Sequence, residues 1–231
     1  MYDQNMIDLE FNTQTYIDKA PFEQVWMGKT HRQNFYRLLC KVLTEDVEGD
    51  IVELGCAYGG ISALIMHVLR DTGSCKCFHV YDSFQGMPEP CTVDEPQDNI
   101  LQRGDFRVSP MVFGANIRKF APGCSLPIVH EGWFENILSN ELPNRIAFAF
   151  LDSDFYESIR ISLEHVYPKL TNGGVMLIDD YCHPRLPGVA KAVDRFFEDK
   201  NESPMLIPPD PGYVLDPGKP QCFILKGGRT Q

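Results

Sequence analysis

Two apolar runs of this chain end in aspartate. Phe148-Ala149-Phe150-Leu151 leads into Asp152, Ser153 and Asp154, and Val175-Met176-Leu177-Ile178 leads into Asp179 and Asp180. Neighbouring parallel strands lie about 4.8 Å apart, so carboxylates at their ends converge on one small volume. Like charges that close repel and push a pKa upward unless a cation sits between them. An oxygen-only set without Cys or His suits a hard ion, Mg²⁺ first, with Mn²⁺ or Ca²⁺ also accommodated. The alternative is plainer: Asp154 caps the helix that follows it, since Asp is a preferred N-cap, and Asp179-Asp180 are loop residues.

A second group surrounds Glu53-Leu54-Gly55-Cys56-Ala57-Tyr58-Gly59-Gly60. Glycines there let the backbone approach a ligand closely, and a helix N-terminus beyond them offers unpaired N–H groups. A tight turn needed only for packing is the competing reading. Ala57 interrupts the G-x-G-x-x-G pattern of dinucleotide sites. Gly55, Gly59 and Gly60 behind Glu53 fit better with an amine-bearing ligand such as S-adenosylmethionine. Asp82 closes a further strand, where an acid receives a ribose 2′-OH. That ribose belongs equally to a nicotinamide cofactor, so Asp82 indicates a nucleoside without choosing one.

Together the two groups describe one mechanism. A cation binds a substrate hydroxyl, lowers its pKa and aligns its oxygen with an electrophilic methyl group. A vicinal diol, which chelates through two oxygens, is the natural acceptor. Asp154 is the first candidate for the base and His183, three residues past Asp180, the second. His183 reads equally well as a surface loop residue.

These residues need a scaffold that gathers strand ends. Helical spacing covers 31–46, 61–69, 111–120, 154–170 and 189–197; short apolar strands are expected at 51–54, 77–81, 127–130, 146–151 and 175–178. A turn is expected at Asn172-Gly173-Gly174. Strands at 205–207 and 221–225 have no helix between them and suggest an antiparallel hairpin. The pattern predicts an α/β, doubly wound, Rossmann-like seven-stranded sheet, mostly parallel with that C-terminal hairpin. We expect one domain, 31–231, preceded by an N-terminal helical extension over 1–30. That extension and the long polar loop 83–109 are expected to act as a lid.

Composition narrows the function classes. With 21 Lys plus Arg against 32 Asp plus Glu, the chain carries a formal charge of −11. That balance argues against nucleic acid, which rewards clustered cations, and against anionic membranes. No run approaches the ~20 apolar residues of a membrane span, and the first residues lack the form of a secretory signal. Eight cysteines without framework spacing indicate reduced thiols, hence a cytoplasmic protein.

HRQNFYRLLCKVLTEDVEGDIVELGCAYGGIS, VYDSFQGMPEP, GWFENIL, FLDSDFYESIRISLEHVYPKLTNGGVMLIDDY and GVAKAVDRFF resemble, in order and spacing, the macrocin O-methyltransferase (TylF-like) family. The resemblance implies a class I, S-adenosylmethionine- and Mg²⁺-dependent O-methyltransferase of sugars or aromatic groups in natural products, often oligomeric. It implies Asp152, Asp179 and Asp180 as metal ligands and Asp154 as the base. It places Glu53, Gly55, Gly59, Asp82, Ser83 and Asp152 at the cofactor, with Gly132-Trp133 near its adenine and Met27 and Arg32 near the donor. Residues 91–110 and 208–220 depart from the pattern, leaving the small-molecule acceptor undefined. A nicotinamide-dependent oxidoreductase, a non-catalytic relative and another metal-dependent reaction are the rival readings.

Overall fold

A computed structural model of the chain describes residues 27–94, 101–207 and 220–228. The expected extension therefore lies, up to residue 26, outside the described residues, as do parts of the two loops at 95–100 and 208–219. Seven strands form one sheet in the order β3-β2-β1-β4-β5-β7-β6. They are β1 (Asp50–Leu54), β2 (Phe78–Asp82), β3 (Ile128–Glu131), β4 (Ile146–Leu151), β5 (Leu170–Ile178), β6 (Met205–Ile207) and β7 (Gln221–Leu225). The first five are parallel; β7 runs antiparallel to β5 and to β6, the hairpin finish expected from the sequence.

Six α-helices are described: α1 (Lys29–Thr44), α2 (Gly60–Asp71), α3 (Pro110–Phe120), α4 (Phe134–Glu141), α5 (Tyr156–Val166) and α6 (Pro187–Phe197). Alternation along each strand splits the core into two layers. Ile51, Phe148 and Phe150 pack with α1, α2 and α3, where Phe35 meets both phenylalanine rings edge-on. Val52, Ala149 and Leu151 face the other way, into α4, α5 and α6. Because they are covered on both sides, β4 and the second half of β5 read as unbroken apolar runs, and β1 does so apart from Asp50 and the buried Glu53.

The structure departs from expectation in three places. The helix anticipated over 154–170 spans only Tyr156–Val166, then a 3₁₀ turn at Tyr167–Lys169 containing Pro168. Asn172-Gly173-Gly174 lies inside β5 rather than in a turn, because its backbone pairs with Lys226 (Gly173 N–H to Lys226 O 2.8 Å; Lys226 N–H to Gly174 O 2.9 Å). Helix α4 was not anticipated; it has eight residues and buries only Ile137 and Leu138, too little periodicity to be visible.

The glycine turn after β1 is dictated by the neighbouring strand. Gly55 has φ +87°, and a Cβ there would lie 1.9 Å from the carbonyl oxygen of Asp152. Gly73 has φ +65° but nothing within 4 Å. Urea unfolding should separate the two effects: Gly73→Ala is expected to cost about 1 kcal/mol, for left-handed backbone strain alone. Gly55→Ala should cost more than about 3 kcal/mol, because two backbones must also move apart. Equal losses would show that the close approach is easily relaxed.

Candidate active site

The carboxyl ends of the parallel strands open into a cavity of about 830 Å³. Its wall includes Glu53 and Gly55 from β1 and its turn, Asp82 and Ser83 from β2, and Gly132 and Trp133 after β3. Asp152 and Asp154 follow β4, and Asp179, Asp180 and His183 follow β5. Met27 and Gly59 are the sequence-predicted cofactor residues that do not line it. A Cβ on Gly59 would sit 3.0 Å from the Phe113 ring, so that glycine serves helix packing. Met27 is buried behind the wall, its sulfur 3.8 Å from Gln221 Nε2, and Arg32 is likewise buried outside the lining.

Three carboxylates converge. Asp152, Asp154 and Asp180 each offer an oxygen within 4.8 Å of the others. Asp179, expected in this set, lines the same cavity outside that trio, and its Oδ1 accepts from Gln221 Nε2 at 2.7 Å. The reason is the strand period of two. Cys222 pairs with Ile178 across the β5–β7 ladder, which brings Gln221 beside Asp179. Asp180 turns toward β4 through a left-handed backbone (φ +53°). A set of carboxylate oxygens spaced in this way fits a hard divalent cation.

Asp154 does not form the helix cap. The N-cap position of α5 belongs to Phe155, which makes no side-chain cap bond, and Asp154 has φ +56°. His183 is not a surface residue, being 1% exposed. Its Nδ1 accepts the Arg185 backbone N–H at 3.2 Å, so the neutral ring carries its proton on Nε2.

The β1–α2 turn is held by Asp82. Its Oδ2 accepts from the backbone N–H groups of Cys56 (2.9 Å) and Ala57 (3.2 Å), and its Oδ1 from Phe84 N–H (2.8 Å). Two of its three accepted bonds thus shape the turn, in which Ala57 takes a left-handed φ of +41°. Ser83 closes the next turn, accepting from Gln85 N–H at 3.0 Å. Four of the seven described non-glycine residues with positive φ (Ala57, Phe106, Asp154 and Asp180) line the cavity. Strained backbone of this kind concentrates at functional sites.

Two features escaped the sequence reading. Asp94, in the loop after β2, reaches the N-terminus of α5, and Gln221 holds Asp179 from the far hairpin. Neither has a local motif; both depend on tertiary contact.

Glu53 is fully buried beside Ser62, whose hydroxyl donates to Oε2 at 2.5 Å. Burial raises its pKa to about 8; the Ser62 bond opposes the shift and the negative Asp82 adds to it. The fold then keeps a proton that the unfolded chain releases near 4.5, so stability falls as pH rises between those values. Glu53→Gln removes this titration. Between pH 5 and pH 8 the variant should lose less unfolding free energy in urea than wild type, by on the order of a few kcal/mol. Parallel losses would mean that Glu53 is ionised throughout.

The chain matches the family described as Macrocin-O-methyltransferase (TylF) over residues 6–207. It is 34% identical over 161 residues (68% of this chain) to 8-demethyl-8-(2,3-dimethoxy-alpha-L-rhamnosyl)-tetracenomycin-C 4'-O-methyltransferase of Streptomyces olivaceus. It is 29% identical over 166 residues (68% of this chain) to mycinamicin III 3''-O-methyltransferase of Micromonospora griseorubida. These matches span 62% and 65% of the relatives' own length. The structure of the O-methyltransferase NovP superposes with a TM-score of 0.75 and 25% identity, over 88% of this chain and 82% of that one. A fold of this topology, a cavity at its strand ends and a match over most of the chain agree: the protein belongs to the macrocin O-methyltransferase (TylF) family.

Proposed function

We propose that the chain transfers a methyl group from S-adenosylmethionine to a hydroxyl of a small, uncharged or cationic acceptor, using a divalent ion. The observation that carries this reading is the convergence of Asp152, Asp154 and Asp180 in the cavity wall beside the Glu53–Asp82 turn. When bound, the donor supplies an electrophilic methyl and the ion supplies charge that lowers the acceptor hydroxyl's pKa. The chain's own residues do the rest. The backbone around Gly55–Ala57, fixed by Asp82, forms the donor-side floor. Asp154 stands within the carboxylate cluster, where an acceptor hydroxyl would be aligned, and takes its proton. His183 is less suited to that step, because the ring nitrogen free of the Arg185 bond carries the proton of the neutral ring. Its role is to donate. Trp133, Phe134 and Phe106 give the wall an apolar face.

Charge narrows the acceptor. Ten carboxyl side chains line the cavity against one guanidinium, that of Arg185. A divalent ion and a protonated Glu53 leave a clear excess of negative charge, which repels a phosphorylated acceptor. The two named relatives act on a rhamnosyl-tetracenomycin and on mycinamicin III. A glycoside carrying free sugar hydroxyls meets the same requirements here.

Calorimetry should show S-adenosylhomocysteine binding, and EDTA should abolish methyl transfer while leaving that binding within about threefold. Asp154→Asn should lower kcat by about 10²-fold or more even at saturating divalent ion and acceptor. Full activity in EDTA would remove the ion from the reading. Charge selectivity is a separate measurement: phenyl α-L-rhamnopyranoside should exceed a nucleoside-diphosphate rhamnose in kcat/KM by about tenfold or more at low ionic strength. Preference for the nucleotide sugar would reverse the assignment of acceptor class.

A further inference from the structure

We infer that Asp94 is the residue that seats the acceptor-side wall of the cavity, by acting as the missing N-cap of α5 from a different part of the chain. The inference rests on the functional reading above only for the word acceptor; the seating itself is a matter of geometry.

An α-helix begins with N–H groups that have no partner inside the helix. The residue at the cap position of α5, Phe155, has no side chain able to accept one. Asp94 lies 62 positions earlier, yet its Oδ1 accepts the Tyr156 N–H at 2.7 Å. Its Oδ2 is also engaged, accepting from the Cys91 backbone N–H at 3.0 Å with the Cys91 thiol at the same distance. The side chain is 3% exposed although it comes from a polar, proline-rich loop. A buried carboxylate is costly unless hydrogen-bonded, and here both oxygens are. Its charge also suits a helix N-terminus.

Space has been left for it. Gly188, in the first turn of α6, approaches so closely that a Cβ there would lie 1.9 Å from Asp94 Oδ1. It would also lie 2.9 Å from Tyr156 N. Gly188 does not have a left-handed φ, so its backbone geometry does not demand glycine. The close approach of Asp94, and behind it of Tyr156, supplies the reason.

One carboxylate therefore joins three pieces: the segment after β2, the start of α5 and the start of α6. The first piece gives the cavity Met87, Pro88, Glu89 and Asp94 itself. The second directly follows Asp152 and Asp154. The donor-side turn shares none of these bonds, being held by Asp82. Loss of Asp94 should thus shift the wall relative to the carboxylate cluster and leave the donor floor in place. Asp94 is a positioning residue for acceptor specificity.

The test combines hydrogen exchange, S-adenosylhomocysteine calorimetry and methyl transfer to phenyl α-L-rhamnopyranoside. Asp94→Ala should speed exchange of the Tyr156 amide about tenfold or more and raise acceptor KM about tenfold. The dissociation constant of S-adenosylhomocysteine should stay within about twofold. Asp94→Asn, which keeps one acceptor oxygen, should recover most of the Tyr156 protection.

Gly188→Ala is the sharper variant. Alanine favours helix over glycine, so a purely local view predicts a neutral or stabilised α6. Displacement of Asp94 predicts instead the same rise in KM as Asp94→Ala. With the 1.9 Å overlap removed, the double variant should fall well short of the product of the single effects. An unchanged Tyr156 exchange rate in Asp94→Ala would overturn the proposal. So would a cofactor affinity that falls in step with acceptor KM. If wild type leaves the rhamnoside unmethylated, the functional reading fails on its own, and exchange at Tyr156 still decides the seating.

Discussion

The constraint underlying this structure is the crowding of acidic side chains at the carboxyl ends of adjacent parallel strands. Strands about 4.8 Å apart cannot release several carboxylates into one cleft without a compensating device for each. Asp82 has three backbone N–H groups. Asp179 has the Gln221 amide, Asp94 the first N–H of α5, and Glu53 burial beside Ser62 with a pKa raised to about 8. Asp152, Asp154 and Asp180 each bring an oxygen within 4.8 Å of the other two.

Backbone conformation serves the same end. Ala57, Asp154 and Asp180 take left-handed φ values at three successive strand-end turns. Each such residue costs of order 1–3 kcal/mol unless its surroundings offset it. At Asp180 the turn accompanies the approach of its carboxylate to Asp152 and Asp154. At Ala57 it points the Cys56 and Ala57 N–H groups at Asp82. Strain is thus distributed over the cavity floor, while the two core layers beneath are regular and apolar.

The sheet was largely legible because burial on both faces writes strands as continuous Val, Ile, Leu and Phe runs. Asp152 and Asp180 were legible for the same reason, as acids at or just past the ends of such runs. Asp179 was read with them because a sequence shows adjacency but not the face on which a side chain emerges. Gly59 was read as a ligand-side glycine, yet the Phe113 ring from α3 is what crowds it. Asp94 was invisible within a loop of prolines and acids, since its partner lies 62 residues away. Local pattern carries the strands; pairing across the fold carries the division of labour among the acids.

The two halves of the cavity are consequently built with different tolerance for change. One side of the cavity rests on β1 and β2, where Gly55 lies against the Asp152 carbonyl and Asp82 closes the turn, so substitution there disturbs the sheet itself. The opposite wall comes from the segment after β2, attached to the helices through Asp94 and to the turn at 104–105 by the backbone bonds of Met87. Side chains between those attachments, such as Pro88 and Glu89, face the cavity without supporting the core. Loop positions of this kind can vary at little cost in stability.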